Sequence, residues 1–305
     1  MSAASTKIVI AGGNGALGRR ICADLAENGY DLVVLTRTPQ PGSPFRQVEW
    51  DGRTVGGWSA ELAGASVINL AGALVDRPPT SANVDLLTRS RVEPTTALVK
   101  ATDQLGVRPA VWLQMSTLAI YGDAGDAVLD ESARPADGPP QMPGVARPWE
   151  EAAAGVQAGR MITLRTAVVL DARTPAMKRL TALVRFGLGG RIGTGRQWVS
   201  WLHVADFQAI VQACLESDQL AGVVHATSPN PVTNAELMSE LRRALHRPPA
   251  PPTPKLMLRA GSALLRSDPA LALTGRRCVP GALLKAGFEF KYPELGPALS
   301  NLLSR

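Results

Sequence analysis

The chain has 305 residues, 45% of them hydrophobic, and a formal charge of +6 at pH 7. That length buries a large core unaided, and Cys22, Cys214 and Cys278 are too few and too far apart for a zinc site or a secreted disulfide framework, which fits a reducing, cytoplasmic compartment. The charge is uneven, because residues 241–305 hold 11 Lys or Arg against Asp268, Glu289 and Glu294, but these arginines are scattered with few aromatics between them, so no nucleic-acid partner is expected.

In chain order, Met-Ser-Ala-Ala-Ser-Thr-Lys leads straight into an apolar run, and no stretch approaches 18 apolar residues without a charge, so neither a targeting segment nor a membrane partner is expected. Ile8-Val9-Ile10 predicts a strand over 7–11. A helix is expected over 16–28, with Leu17, Ile21 and Leu25 in register. Ala11-Gly12-Gly13-Asn14-Gly15-Ala16-Leu17-Gly18 joins the two. In such a strand–turn–helix unit Gly12 permits the tight turn, Gly15 lets backbone approach a dinucleotide diphosphate, and Gly18 lets the helix pack close to the strand. Asn14, Gly15, Ala16 and Leu17 then sit at the positive, donor-rich helix end.

The next strand, 31–36, ends in Thr36-Arg37-Thr38 with no carboxylate. An acidic residue there would grip a ribose 2′-hydroxyl, whereas a guanidinium accommodates a 2′-phosphate. The residues therefore point to NADP(H), with Arg37 as clamp and Thr36 as helper; the alternative is a solvated loop arginine.

Further strands are expected at 46–50, 66–70, 110–116 and 161–166, and helices at 83–105 and 147–157. Such alternation implies a parallel sheet covered on both faces, with its ligand beyond the carboxyl ends of the strands, where Gly12, Arg37, Asp51, Ala71 and Thr117 fall. Residues 174–187 and 203–218 read as helices, 223–226 as a strand, and 234–245 as a helix capped by Asn234. The Pro-rich stretch 247–254 reads as a stiff spacer before a helix near 255–266. The fold class is α/β, a Rossmann doubly wound parallel sheet with a smaller C-terminal α+β substrate lobe. The expected division is 1–170 for the NADP-binding domain and 171–305 for the lobe, with 201–226 packing back on the first.

Ser116-Thr117-Leu118-Ala119-Ile120-Tyr121-Gly122-Asp123 resembles the corresponding segment of extended, atypical short-chain dehydrogenases/reductases. Val67 to Gly72, Ser90-Arg91-Val92, Trp149-Glu150, Leu164-Arg165-Thr166, Gly193 to His203, His246-Arg247-Pro248 and Ala286 to Phe290 extend the likeness over nearly the whole chain. More narrowly, the chain is similar to the sugar-epimerase-like "epimerase family". The resemblance implies a Rossmann domain with a small substrate lobe. It implies Asp51 near the adenine, Leu70, Ala71 and Gly72 beside the diphosphate, Ser116 as a further cofactor contact, and Thr166, Ala167, Val168 and Val169 near the nicotinamide carboxamide. Thr117 falls where extended members place the catalytic Ser or Thr, from which a hydroxyl donates to a substrate oxygen that gains charge.

One feature of typical members is missing. They carry a Tyr-x-x-x-Lys pair, in which the ammonium lowers the phenol pKa. Tyr30, Tyr121 and Tyr292 are the only tyrosines here, and none has Lys four residues later. Tyr121 is the first substitute proton donor, against a packing role. Glu150 would act as an acid if burial beside Trp149 raised its pKa, against simple complementation of a helix dipole. Arg196, Trp198 and Trp201 follow a Gly-rich stretch and would clasp a substrate, against packing between lobes. His203 and Asp206 lack partners for a metal or a triad and read as structural, as do His225 and His246, so no metal is expected. The expected activity is an NADP(H)-dependent oxidoreductase that reduces a small-molecule carbonyl, imine or activated alkene, as monomer or homodimer. The alternatives are an epimerase or dehydratase that retains NADP, and a non-catalytic NADP(H)-binding regulator.

Overall fold

The computed structural model describes residues 7–254, 256, 258 and 268–304. Apart from residues 256 and 258, the helix expected near 255–266 therefore lies outside the described residues. The N-terminal part runs β1 (Lys7–Ala11), α1 (Ala16–Glu27), β2 (Asp31–Thr36), β3 (Arg46–Glu49), β4 (Ser66–Asn69), α2 (Ser81–Thr102) and β5 (Val111–Thr117). It continues through β6 (Val128–Leu129), α3 (Pro143–Ala153), β7 (Arg160–Thr166), β8 (Val168–Leu170) and α4 (Pro175–Arg185). Then come β9 (Trp198–Val199), β10 (Trp201–His203), α5 (Val204–Glu216), β11 (Gly222–Ala226), β12 (Val232–Thr233), α6 (Asn234–Ala244) and β13 (Arg277–Cys278).

Seven strands form one sheet in the order β11-β7-β5-β4-β1-β2-β3, and every neighbouring pair is parallel. Parallel strands need crossovers that cover both faces, which is why Ile8, Val9, Ile10 and Ala11 are all fully buried. On one face Ile21, Cys22 and Leu25 of α1 and Phe207, Ile210 and Val211 of α5 share a core with Ile8, Ile10, Leu113, Ile162 and Val224. On the other, Ala97, Leu98 and Ala101 of α2 pack with Val9, Val67 and Trp112. Each Val, Leu, Ile or Phe among these contributes about 1.5–3 kcal/mol relative to exposure. Strand order reverses between β1 and β4, which opens the crevice beside the glycine turn.

The chain leaves this sheet after β7 and returns to it. β8 pairs with β10, β9 with β12 and β6 with β13, while β11 completes the sheet beside β7. Outside the sheet, Leu170, Met177, Val184, Trp201, Met238, Leu241 and Leu295 form a separate core. Arg20 of α1 reaches Asp171 at 2.5 and 2.7 Å, tying the two regions together. Burial opposes the Asp171 charge, yet the Arg20 guanidinium and the Arg173 N–H hold its carboxyl below the usual range.

Two local expectations need correction. Thr233, not Asn234, caps α6: its Oγ1 accepts the Glu236 N–H at 3.3 Å, while the Glu236 carboxylate accepts the Thr233 N–H at 2.7 Å. The Asn234 Oδ1 instead accepts the Ile192 N–H at 2.8 Å. α3 starts at Pro143 rather than 147, because a proline at the first helical position has the right φ and no N–H to leave unpaired. The Pro-rich stretch is docked at its end on the segment before β9: the Thr253 N–H donates to Arg191 O and Thr253 O accepts the Gly193 N–H. Among the described residues no helix is long and apolar enough to cross a membrane.

Candidate cofactor and active site

The turn after β1 is built so closely that only glycine fits at two of its positions. Gly12 has φ +85°, and a Cβ there would lie 2.8 Å from Leu70 C and O. A Cβ at Gly18 would lie 2.4 Å from Gly12 O, so α1 starts tight against the turn. No side chain caps α1 at Gly15, which leaves the first N–H groups at Ala16 and Leu17 available to an external acceptor. The Asn14 Nδ2 donates to Thr36 Oγ1 at 3.0 Å, and Asn14 Oδ1 accepts Gln47 Nε2 at 3.2 Å. These bonds tie the turn to the ends of β2 and β3 and leave Thr36 as a brace for the turn.

At those ends lies a cavity of about 630 Å³ lined by Arg37, Glu49, Trp50, Asp51, Thr54, Gly56, Gly57 and Trp58. Trp50 and Trp58 meet edge to face at 5.3 Å and give it an aromatic wall. Arg37 is exposed, and among the described residues it forms no ion pair, not even with Glu49. Asp51 is used internally: Thr54 Oγ1, Thr54 N and Arg53 N donate to its carboxylate at 2.6, 2.8 and 2.8 Å, holding its pKa at about 2. Glu49, Trp50, Thr54 and Trp58 were not anticipated as lining residues.

Leu70, Ala71 and Gly72 follow β4 directly beneath the turn. Leu70 N donates to Ala11 O at 2.8 Å, and Ala71 N to the buried Asn69 Oδ1 at 3.2 Å. Gly72 faces Arg91 of α2, whose guanidinium a Cβ would approach to 3.0 Å.

At the carboxyl ends of β5, β7 and β11 the register sets Ser116 opposite Arg165 and Arg165 opposite His225, so the three side chains leave one face together. Glu150 of α3 reaches down to them. The Arg165 Nε and Nη2 donate to it at 2.9 and 2.8 Å, and Ser116 Oγ donates at 2.5 Å. The Arg165 Nη1 donates to Tyr121 Oη at 2.7 Å, which leaves the phenol proton for His225 Nε2, also at 2.7 Å; His225 Nδ1–H then donates to Val279 O at 3.1 Å. Burial pushes the Tyr121 phenol up to about 12 and pulls the His225 pKa down.

These contacts correct two candidate roles. Tyr121 is 3% exposed and its oxygen is already used by Arg165 and His225, so it presents no proton to the cleft. Glu150 is neither a free acid nor a helix-end charge, because it is the ion-pair partner of Arg165. Thr117 differs from both. It is half-buried, its Oγ1 accepts the Ala119 N–H at 3.1 Å, and its hydroxyl proton remains free to donate. Thr117 stands opposite Thr166 across β5 and β7. Thr166 Oγ1 donates to Leu164 O, Ala167 N to Ala226 O, and Val168 N to Ser200 O. Val168 is 59% exposed beside the less exposed Val169.

In the lobe, Trp201 is fully buried and its Nε1 donates to Asn230 O at 2.9 Å, so it packs the lobe and does not reach a ligand. The Trp198 Nε1 donates to Asp126 at 2.8 Å under the Arg277 guanidinium, 4.3 Å from the ring, while Arg196 is exposed. His203 caps α5 through Nδ1 and stacks on Tyr292 at 4.0 Å. Asp206 accepts the Lys291 and Tyr292 N–H groups. Among the described residues no group of three His, Cys, Asp or Glu is placed to hold a metal ion.

A family model described as "NAD dependent epimerase/dehydratase family" matches residues 8–224, and one described as a domain of unknown function (DUF1731) matches 253–302. The epimerase family protein ML0860 of Mycobacterium leprae is 33% identical, covering 100% of this chain and 99% of its own. Human epimerase family protein SDR39U1 is 29% identical, covering 98% of this chain and 100% of its own. Its crystal structure with NADPH (isoform 2) superposes with a TM-score of 0.86 at 28% identity, over 97% of this chain and 99% of that one. The nucleoside-diphosphate sugar epimerase of Corynebacterium glutamicum gives 0.78 at 28% identity, over 97% of this chain and 58% of its own. Sequence, sheet order and glycine turn agree: the chain belongs to the NAD-dependent epimerase/dehydratase family.

Proposed function

We propose that the protein is an NADP(H)-dependent oxidoreductase that reduces a small organic carbonyl, imine or activated alkene. The observation that carries the reading is Arg37, exposed, without an ion pair among the described residues, and lining the cavity at the end of β2. A guanidinium so placed suits a 2′-phosphate, and the tight Gly12–Leu70 approach with the uncapped start of α1 suits a diphosphate, so the residues fit the cofactor. The NADPH held by the human relative supports the same choice.

When bound, the cofactor supplies two-electron exchange with an unsaturated carbon. The Thr117 hydroxyl orients the substrate by donating to the oxygen or nitrogen that gains electron density, and that donor is worth most where water is excluded. Ser116, Glu150 and Arg165 hold the end of β5 in place so that Thr117 is fixed before substrate arrives. With Tyr121 sequestered, the proton comes from water ordered by Thr117.

The test is incubation of purified protein with NADPH and a panel of carbonyls, imines and activated alkenes. Loss of reduced-nicotinamide absorbance with product formation supports the reading. Substrate conversion without net cofactor change replaces it by an NADP-retaining epimerase or dehydratase, and NADPH binding with no conversion replaces it by a regulator.

A further inference from the structure

Arg91 is a buried cation that meets no counter-charge among the described residues. It is 8% exposed on α2, its Nη1 donates to Leu87 O and its Nη2 to Ala73 O, both at 3.0 Å, and its guanidinium lies 5.0 Å over the Trp149 ring. Among the described residues none of the acceptors that meet it is a carboxylate. Burial alone pulls its pKa down to about 10. Among the described residues the Nε1–H of that same indole is buried without an acceptor. Glu150 of α3 is paired with Arg165, and among the described residues no ion pair joins Arg91 to α3. An unpaired buried charge costs several kcal/mol, and sites that tolerate one do so where a ligand completes the pair.

The position of that charge names the ligand. Residues 70–73 run from the glycine turn to Arg91: Leu70 and Ala71 meet Gly12, Gly72 lies against the guanidinium, and Ala73 is held by Arg91 through its O and by Ser90 Oγ through its N. We infer that Arg91 is the fixed counter-charge of the cofactor's diphosphate, acting from behind the 70–73 loop and holding that loop in its binding shape. This rests on the cofactor reading above. It also gives the segment Ser90-Arg91 a role in the cofactor site.

The test compares two variants and two ligands. Arg91→Gln keeps an N–H donor without the charge, and Arg91→Lys keeps the charge. NADPH carries the diphosphate; adenosine 2′-phosphate does not. In fluorescence or calorimetric titrations Arg91→Gln is expected to weaken NADPH by about tenfold or more, with adenosine 2′-phosphate unchanged within about twofold, and Arg91→Lys to stay within about threefold of the parent for both. Equal losses in the two variants, or unaltered NADPH binding by Arg91→Gln, overturn the inference. Equal loss of both ligands by Arg91→Gln assigns Arg91 a purely structural role and also overturns it. If neither variant folds, the parent decides. A buried charge is poorly screened, so raising salt is expected to weaken NADPH no more than adenosine 2′-phosphate, and a steeper loss for NADPH contradicts the inference. A parent that binds adenosine 2′-phosphate but not NADPH refutes this inference while sparing Arg37; one that binds neither refutes the cofactor reading itself.

Discussion

Replacing Glu150 by alanine strands the Arg165 guanidinium, whose side chain is only 6% exposed, and removes acceptors for Arg165 Nε, Arg165 Nη2 and Ser116 Oγ at once. An exposed ion pair of this kind is worth at most about 1 kcal/mol, but a buried one broken on one side costs about 3–5 kcal/mol, because the remaining charge has no water to return to. Tyr121 cannot compensate, since it accepts one Arg165 N–H and gives its own proton to His225. The expected loss is therefore about 3–5 kcal/mol, read as a lowered urea midpoint at unchanged slope. Glu150→Gln keeps an acceptor oxygen and is expected to lose about half as much. Removing both charges together, as Glu150→Leu with Arg165→Met, is expected to be less harmful than Glu150→Ala alone. A loss below about 1 kcal/mol for Glu150→Ala would refute the buried-pair argument and return Glu150 to the role of a surface charge.

Two further outcomes follow from the same geometry. Thr117→Val is expected to cut turnover about 10²–10³-fold with cofactor affinity unchanged, whereas Tyr121→Phe lowers stability by about 1–3 kcal/mol and leaves the turnover of the folded enzyme nearly intact; steady-state kinetics with urea melts separate the two, and equal turnover losses would contradict the assignment. His203 and His225 are held neutral by burial, so their folded pKa values lie below 6.5. As pH falls through 6.5 the unfolded chain takes up protons that the folded chain refuses, and stability drops by up to about 1.4 kcal/mol per pH unit for each histidine. Melts at pH 7.5 and 5.5 are expected to show a lower midpoint at 5.5, and a flat profile would mean that these rings are protonated in the fold.

The sheet was legible because its strands are short apolar runs between amphipathic helices, and the glycine turn because its spacing meets a strand on one side and a helix on the other. The strands of two or three residues, β6, β8, β9, β10, β12 and β13, are too short for any period to show. The return of β11 to the sheet depends on pairing with a strand some 60 residues earlier, which periodicity does not report. Arg165 was the missed signal: a charge deep in the apolar run of strand Arg160–Thr166 calls for a partner, and Glu150 was already in view, but only the fold brings them together. His225 repeats the lesson one strand over, and Trp201 looked like part of an open loop until the lobe core closed around it. The β2–β3 cavity was half legible: Arg37 and Asp51 were marked, while the Trp50–Trp58 wall needed the chain to fold back on itself.

The most direct measurement is a parallel titration of the parent protein and Arg37→Ala with NADPH and NADH. The account predicts saturable NADPH binding by the parent, weakened about tenfold or more by Arg37→Ala as one charge-assisted contact worth about 1.5–3 kcal/mol is lost, with NADH changed by less than about twofold. Equal losses for the two cofactors would contradict the 2′-phosphate clamp, and no saturable binding of either by the parent would contradict the account as a whole.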